Sequence, residues 1–255
     1  MSDRIMLKIG GSVITDKGAD CRINHDVLTC IARTIAKAPV SEIIIVHGAG
    51  SCGHPEAKKY RLDMGAEPGH TEGIAVTHRV VSALNAEVVS AFREAGIPAL
   101  GIHPLHVGVA DKGRLIAFES RHLDAMLSLG MVPVIHGDVV MDLSHGACIV
   151  SGDQLVRYLA VALKCTRVGL ATDVPGVLDG ERVVPEITPQ TVDALHIGNS
   201  SHTDVTGGMK GKINELLGLA KAGSGADIFE VSRLGDFLSG KDHGGTKVRG
   251  GKEKW

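Results

Sequence analysis

Aromatic side chains are scarce in this sequence: four Phe, two Tyr and one Trp make up 3% of its 255 residues. A core of any size must therefore be aliphatic, and so few rings cannot build a stacking platform for single-stranded nucleic acid. There is no excess of charge of either sign. Lys and Arg number 27 against 29 Asp and Glu, a formal net charge of −2, which leaves no electrostatic footprint for a nucleic-acid partner. No apolar run approaches the ~18 residues that span a bilayer, so no membrane partner is expected. The first residues, Met1 to Lys8, pass at once into a strand pattern and leave no room for a signal peptide, so a cytoplasmic protein is expected. The five cysteines, Cys21, Cys30, Cys52, Cys148 and Cys165, are odd in number, irregularly spaced and lack a CxxC pair. That predicts free thiols in a reducing compartment, not a disulfide framework. The thirteen histidines contain neither HExxH nor zinc-finger spacing, so most of them are expected as scattered surface and loop residues, with no metal ligand assigned. The absence of a G-x-S-x-G elbow removes support for acyl transfer.

What the chain does have is 44% hydrophobic and 22% charged residues, enough for one large domain or two closely packed lobes. Short apolar runs alternate with stretches of helical period. Strands are predicted over 5–9, 42–46, 99–103, 132–135, 168–171 and 228–231. Helices are predicted over 24–38 (capped by Asn24), 71–95 (capped by Thr71), 120–130 (capped by Ser120), 153–163, from Thr188-Pro189 onward, and 208–222. A hairpin is expected around Asp111-Lys112-Gly113, and the lysine-rich tail from 247 to 255 is expected to be mobile. This alternation predicts an α/β fold: an open αβα sandwich with a mainly parallel central sheet. It is expected as one domain, with an N-terminal lobe of about 1–150 and a C-terminal lobe of about 151–255.

Three strand or helix boundaries carry glycine clusters, where open α/β sheets bind ligands. Lys8-Ile9-Gly10-Gly11-Ser12 ends the first strand; its glycines let backbone N–H groups approach phosphate oxygens, with the Lys8 ammonium close by. Taken alone, a tight turn explains it equally well. His47-Gly48-Ala49-Gly50-Ser51-Cys52-Gly53-His54 ends the second strand and is neither a Walker A loop nor a Rossmann fingerprint. Asp204-Val205-Thr206-Gly207-Gly208-Met209-Lys210-Gly211-Lys212 opens a helix, whose N-terminus is an anion site with Lys212 one turn in. Ser151-Gly152-Asp153-Gln154 marks another helix start, where an acid can orient lysines, and Thr172-Asp173 closes a strand beside which a nucleotide can lie. Lysines and glycines without a covalent nucleophile suit phosphoryl transfer, which needs positioning and charge neutralisation.

In this order, the strings Lys8-Ile-Gly-Gly-Ser, His47-Gly-Ala-Gly-Ser, Gly137-Asp138, Ser151-Gly-Asp-Gln, Thr172-Asp-Val and Asp204-Val-Thr-Gly-Gly-Met resemble the amino acid kinase superfamily over essentially the whole chain. Within it the pattern is most similar to the isopentenyl phosphate kinases, on the strength of His54. The resemblance implies a kinase that uses ATP and Mg²⁺ on isopentenyl phosphate, a small-molecule substrate, and a homodimer. It implies that Lys8, Gly10, Gly11 and Ser12 hold the ATP phosphates and that Gly50 borders them. Lys17 would stabilise the transferring phosphoryl group. Ala49, His54 and Gly152 would contact the acceptor phosphate, Asp153 would organise the lysines, and Asp173, Gly208 and Lys212 would lie at the nucleotide. The sequence departs from the family pattern at Cys52, where Phe is usual, and at Pro175, which replaces an Asp. A fosfomycin kinase-like enzyme of the same fold is the alternative, and a non-catalytic nucleotide sensor is the alternative of another class.

Overall fold

The computed structural model describes residues 3–16, 21–67, 69–195 and 208–251. In chain order the elements are β1 (Arg4–Ile9), α1 (Gly11–Ile14), α2 (His25–Ala36), β2 (Glu42–His47), α3 (Gly50–Lys59), α4 (Thr71–Glu94), β3 (Ala99–Ile102), α5 (Pro104–Val107), β4 (Gly108–Asp111), β5 (Arg114–Phe118) and α6 (Arg121–Ser128). There follow β6 (Val132–His136), β7 (Asp138–Asp142), β8 (Gly146–Val150), α7 (Gly152–Ala162), β9 (Arg167–Thr172), the two-residue strands β10 (Leu178–Asp179), β11 (Arg182–Val183) and β12 (Glu186–Ile187), α8 (Gly208–Lys221), β13 (Ala226–Glu230), α9 (Leu234–Leu238) and β14 (Thr246–Val248).

The main sheet runs β12-β14-β13-β9-β1-β2-β6-β3. Its pairs are parallel except β13 with β14. The central strands are near-continuous apolar runs because both faces are covered, and the pleat sorts them by alternate residues. Ile5, Leu7, Ile9, Ile43 and Ile45 pack in one cluster with Leu28 and Ile31 of α2, Leu84, Val88 and Phe92 of α4, and Phe237 of α9. Met6, Ile44 and Val46 point the other way, into a cluster with Leu123 of α6, Leu155 and Leu159 of α7, and Leu216 of α8. The result is the αβα sandwich that the alternation of elements predicts.

Beyond their carboxyl ends, four neighbouring strands stay stitched together. Gly10 N–H donates to Ala171 O at 2.9 Å, Gly48 N–H to Ile9 O at 3.0 Å, and Gly137 N–H to His47 O at 3.1 Å. The loops leaving β9, β1, β2 and β6 therefore begin side by side.

A second sheet, β5-β4-β7-β8, contains the expected hairpin around residues 111–113, with Lys112 (φ 50°) and Gly113 (φ 76°) in the left-handed conformation that a two-residue hairpin turn requires. Its other hairpin, β7–β8, was not foreseen. The Asp142 carboxylate joins the two turns, accepting N–H bonds from Lys112, Gly113, Ser144 and His145; burial pushes it up, but the Gly113, His145 and Ser144 N–H groups, with Cys148, hold it down at about 2.

Three local expectations need correction. Thr188-Pro189 opens no α-helix: Thr191 folds back, its N–H donating to Thr188 O and its hydroxyl accepting from Thr188 N–H, and a short 3-10 turn at Val192–Ala194 follows. Thr71 is the first helical residue and not the cap, while Ser120 caps by position without a side-chain hydrogen bond. The chain from residue 246 is not a free tail at its start: Thr246–Val248 pairs with both β12 and β13, and the Thr246 hydroxyl accepts from Val177 N–H; residues 252–255 lie outside the described residues.

Candidate active site

Lys8 points from β1 to the face covered by α7, where its Nζ lies 2.6 Å from Asp153 Oδ1. Lys212, one turn into α8, brings its Nζ to 3.4 Å from both Asp153 oxygens. Lys8 and Asp153 are each only 6% exposed. Burial lowers Lys8 to about 8 against the pull of Asp153. Burial alone would raise Asp153, but the ammonium groups of Lys212 and Lys8 hold it at about 2. Two cations around one carboxylate leave this shielded group one positive charge in excess, which an anion placed beside it would offset.

The glycine loops converge on the same place. A Cβ at Gly11 would lie 2.3 Å from Gly50 N, and one at Gly48 would lie 2.7 Å from Gly11 N, so the loops after β1 and β2 touch backbone to backbone. Gly50 itself has φ +53° and no room for a side chain, because a Cβ there would sit 2.1 Å from Thr15 Oγ1. Thr15 ties the two loops, its hydroxyl donating to Gly11 O and accepting from Ser51 N–H. Gly152, the first residue of α7, packs on the Lys8 stem, with 3.0 Å from its hypothetical Cβ to Lys8 Cε. The first turn of α7 thus lies against Lys8 with its N–H end, as an anion site does, while the first turn of α3 meets the loop after β1. On the β9 side the Ser12 hydroxyl donates to Asp173 Oδ1 at 3.1 Å.

Lys8, Gly10, Gly11, Ser12, Ala49, Gly50, Gly152, Asp153, Asp173 and Lys212 are therefore brought to one end of the sheet. His54 stands on α3 one turn after Gly50, half-buried, and α3 is seated on α4 where Gly53 meets Val81. Gly208 opens α8 with φ +58°. Lys17 and residues 204–207 lie outside the described residues. Among the described residues no group of three or more His, Cys, Asp or Glu is arranged to hold a metal ion, and no helix is long and apolar enough to cross a membrane.

Beside the site one cluster goes beyond the sequence reading and one expectation fails. The histidines are not all scattered: His47, His78, His103, His106 and His136 form one contiguous group of rings. Asn85 Nδ2 donates both to Val134 O and to His47 Nε2, so the His47 proton sits on Nδ1 and is donated to Gly48 O at 3.0 Å. Burial pushes His47 down to about 4 and His136 to about 3, so both are neutral. His136 repeats the geometry toward Gly137 O, and His78 pairs with the buried Asp138 at 2.9 Å. The sequence carried a signal for this, since two buried apolar strands each end in His-Gly, but only the sheet register sets His47 opposite His136. The expectation that fails concerns the cysteines. Cys21 and Cys52 form a disulfide across a sequence separation of 31 residues, with Cys21 two residues before Ile23, which bridges to Thr15.

Comparison with known proteins agrees with this geometry. The sequence pattern of the Amino acid kinase family matches residues 3–229. The chain belongs to the amino acid kinase family. Among members of that family, it is 39% identical to the isopentenyl phosphate kinase of Haloferax volcanii over 96% of this chain and 98% of that protein. It is 37% identical to the enzyme of the same name from Methanothermobacter thermautotrophicus over 96% and 99% of the two chains. A solved isopentenyl phosphate kinase superposes with a TM-score of 0.85 at 35% identity, over 96% of this chain and 99% of the other.

Proposed function

We propose that this chain transfers the terminal phosphate of ATP directly to isopentenyl phosphate, giving isopentenyl diphosphate and ADP, within isoprenoid biosynthesis. The observation that carries the phosphoryl-transfer reading is the buried Lys8–Asp153–Lys212 group with its excess positive charge beneath two converging glycine loops. The acceptor is suggested by the relatives of 34–39% identity, each an isopentenyl phosphate kinase.

In this reading Gly10, Gly11 and Ser12 present backbone N–H groups to the ATP phosphates, and Gly50 divides the donor side from the acceptor side. Ala49, Gly152 and His54 hold the acceptor phosphate. Its oxygen is already ionised near neutral pH, so no strong general base is needed. Lys8, with Lys17, offsets the charge of the loose transition state, while Asp153 holds Lys8 and Lys212 in place. Asp173, Gly208 and Lys212 face the nucleotide. Mg²⁺, when bound, neutralises phosphate charge; it suits this site as an ion carried mainly by phosphate oxygens and water. The N-terminal half is then the acceptor lobe and the C-terminal half the nucleotide lobe. A cytoplasmic homodimer completes the reading, on the strength of the family resemblance.

A coupled ADP-release assay with ATP and Mg²⁺, comparing isopentenyl phosphate, fosfomycin, UMP and acetylglutamate, tests it. Turnover of isopentenyl phosphate alone is expected. Turnover of another acceptor instead replaces the substrate, and silence on all four points to a nucleotide sensor or to an acceptor outside the four.

A further inference from the structure

We propose that His47 is a positioning residue for the acceptor phosphate: by donating its Nδ1 proton to Gly48 O it fixes the direction in which the Ala49 N–H points. The inference rests on the acceptor role given above to Ala49 and Gly152.

The tautomer of His47 follows from its neighbours. His47 and Asn85, on α4, are both buried. Val134 O can only accept a hydrogen bond, so the Asn85 atom 3.2 Å from it is the amide nitrogen. The same nitrogen lies 3.0 Å from His47 Nε2, which is therefore the bare, accepting ring nitrogen. Asn85 Oδ1 is turned to β3, where Gly101 leaves it room: a Cβ on Gly101 would lie 2.3 Å away. The ring proton thus sits on Nδ1, 3.0 Å from Gly48 O. Burial, which pushes the ring down to about 4, keeps a second proton off it.

The carbonyl so held belongs to the same peptide as the Ala49 N–H. That peptide is trans, and its planarity sends C=O and N–H in opposite directions. In the parallel register Ile9 stands beside His47 and Lys8 beside Val46, so the His47 ring and the Lys8 side chain leave opposite faces of the sheet. With its carbonyl drawn to the ring, the peptide turns the Ala49 N–H away from Asn85 and toward the face of Lys8. Gly152, at the N-terminus of α7, lies on that face too: a Cβ there would be 3.0 Å from Lys8 Cε and 3.5 Å from His47 O.

The rest of Gly48 is already anchored. Its N–H donates to Ile9 O at 3.0 Å, and a Cβ on it would lie 2.7 Å from Gly11 N. Rotation of the Gly48–Ala49 peptide is the freedom left between these anchors and α3, and the Nδ1 bond opposes it.

A pair of substitutions tests the assignment. The amide nitrogen of Asn stands where Nδ1 stands in His, and that of Gln where Nε2 stands, so His47→Asn keeps a donor for Gly48 O and His47→Gln keeps only a partner for Asn85. His47→Gln is expected to raise the KM for isopentenyl phosphate at least about fivefold, the effect of losing one hydrogen bond of ordinary strength, with the KM for ATP changed by less than about twofold. His47→Asn should stay within about twofold of the parent in both. A residue that only fills the core would give the two variants the same acceptor KM; that result, or an equal rise in the KM for ATP, overturns the proposal. Should the parent not turn over isopentenyl phosphate, the function proposed above fails, and an amide NMR titration with inorganic phosphate decides the role of His47 separately. A shift at the Ala49 N–H, with weaker phosphate binding in His47→Gln than in His47→Asn, supports it; no shift at Ala49 in the parent, or equal binding in the two variants, overturns it. If either variant does not fold, ring ¹⁵N spectra of the parent decide: a proton on His47 Nδ1 supports the assignment and a proton on Nε2 overturns it.

Discussion

Replacing Asp153 by Asn removes the only carboxylate between Lys8 and Lys212 recorded in the described residues and keeps the side chain nearly the same size. Lys8 is already lowered to about 8 by burial, and Asp153 is what opposes that fall. Stripping one partner from a buried ion pair costs about 3–5 kcal/mol, and one pKa unit corresponds to about 1.4 kcal/mol. If only about a third of that cost falls on the Lys8 ammonium, its pKa drops by about one unit, to about 7 or below. At pH 8 the parent Lys8 is then about half protonated and the variant's about one-tenth, so protonation alone lowers kcat/KM for ATP about fivefold; at pH 6 it contributes almost nothing. The assay is kcat/KM for ATP between pH 6 and 9.5 in both proteins, which reports the free enzyme. The expected result is an alkaline limb displaced downward by at least about one unit in Asp153→Asn. A variant with uniformly lower activity and an unmoved limb would refute the argument that Asp153 works by keeping Lys8 charged.

Other outcomes follow from the same geometry. Asp153 has a folded value of about 2, below the ordinary 3.8, so its contribution to stability is present above about pH 4 and lost as pH falls toward 2; urea midpoints between pH 5 and 2 should fall less steeply in Asp153→Asn than in the parent. His54→Ala should raise the KM for isopentenyl phosphate strongly or abolish turnover, and near-normal steady-state kinetics would remove His54 from the site. Gly11→Ala must force its new Cβ away from Gly50 N; overpacking of this kind costs about 1–3 kcal/mol, visible as a lower Tm together with lost kcat/KM. Phe92→Ala, in the last turn of α4 within the aliphatic cluster, should cost about 3–5 kcal/mol in denaturant unfolding while the acceptor KM stays the same.

Much of the fold was readable along the chain because its elements announce themselves locally. Asn24 does cap α2, its side chain accepting from Val27 N–H, and β1, β2 and β9 are apolar runs of strand length ending in glycine or Thr-Asp. The β7–β8 hairpin was less legible: its alternation is short, and Asp142, which secures both turns, looks in sequence like an ordinary surface acid. Thr188-Pro189 has a helix-start composition, yet Thr191 satisfies the local N–H groups through a turn and no long helix follows.

By itself the sequence determined the layered α/β architecture, the position of the glycine loops at strand ends, and the types of residue available for phosphate chemistry, since strand period, caps and glycine freedom are all properties of neighbouring residues. The tertiary structure alone decided what those residues meet. It set Lys8 and Lys212, 204 positions apart in number, on the one carboxylate of Asp153. It aligned His47 with His136 and turned both imidazoles onto glycine carbonyls, and it closed Cys21 onto Cys52 where composition had argued for free thiols. Each of these depends on sheet order and register, because burial and charge act through space between elements that the chain itself keeps far apart.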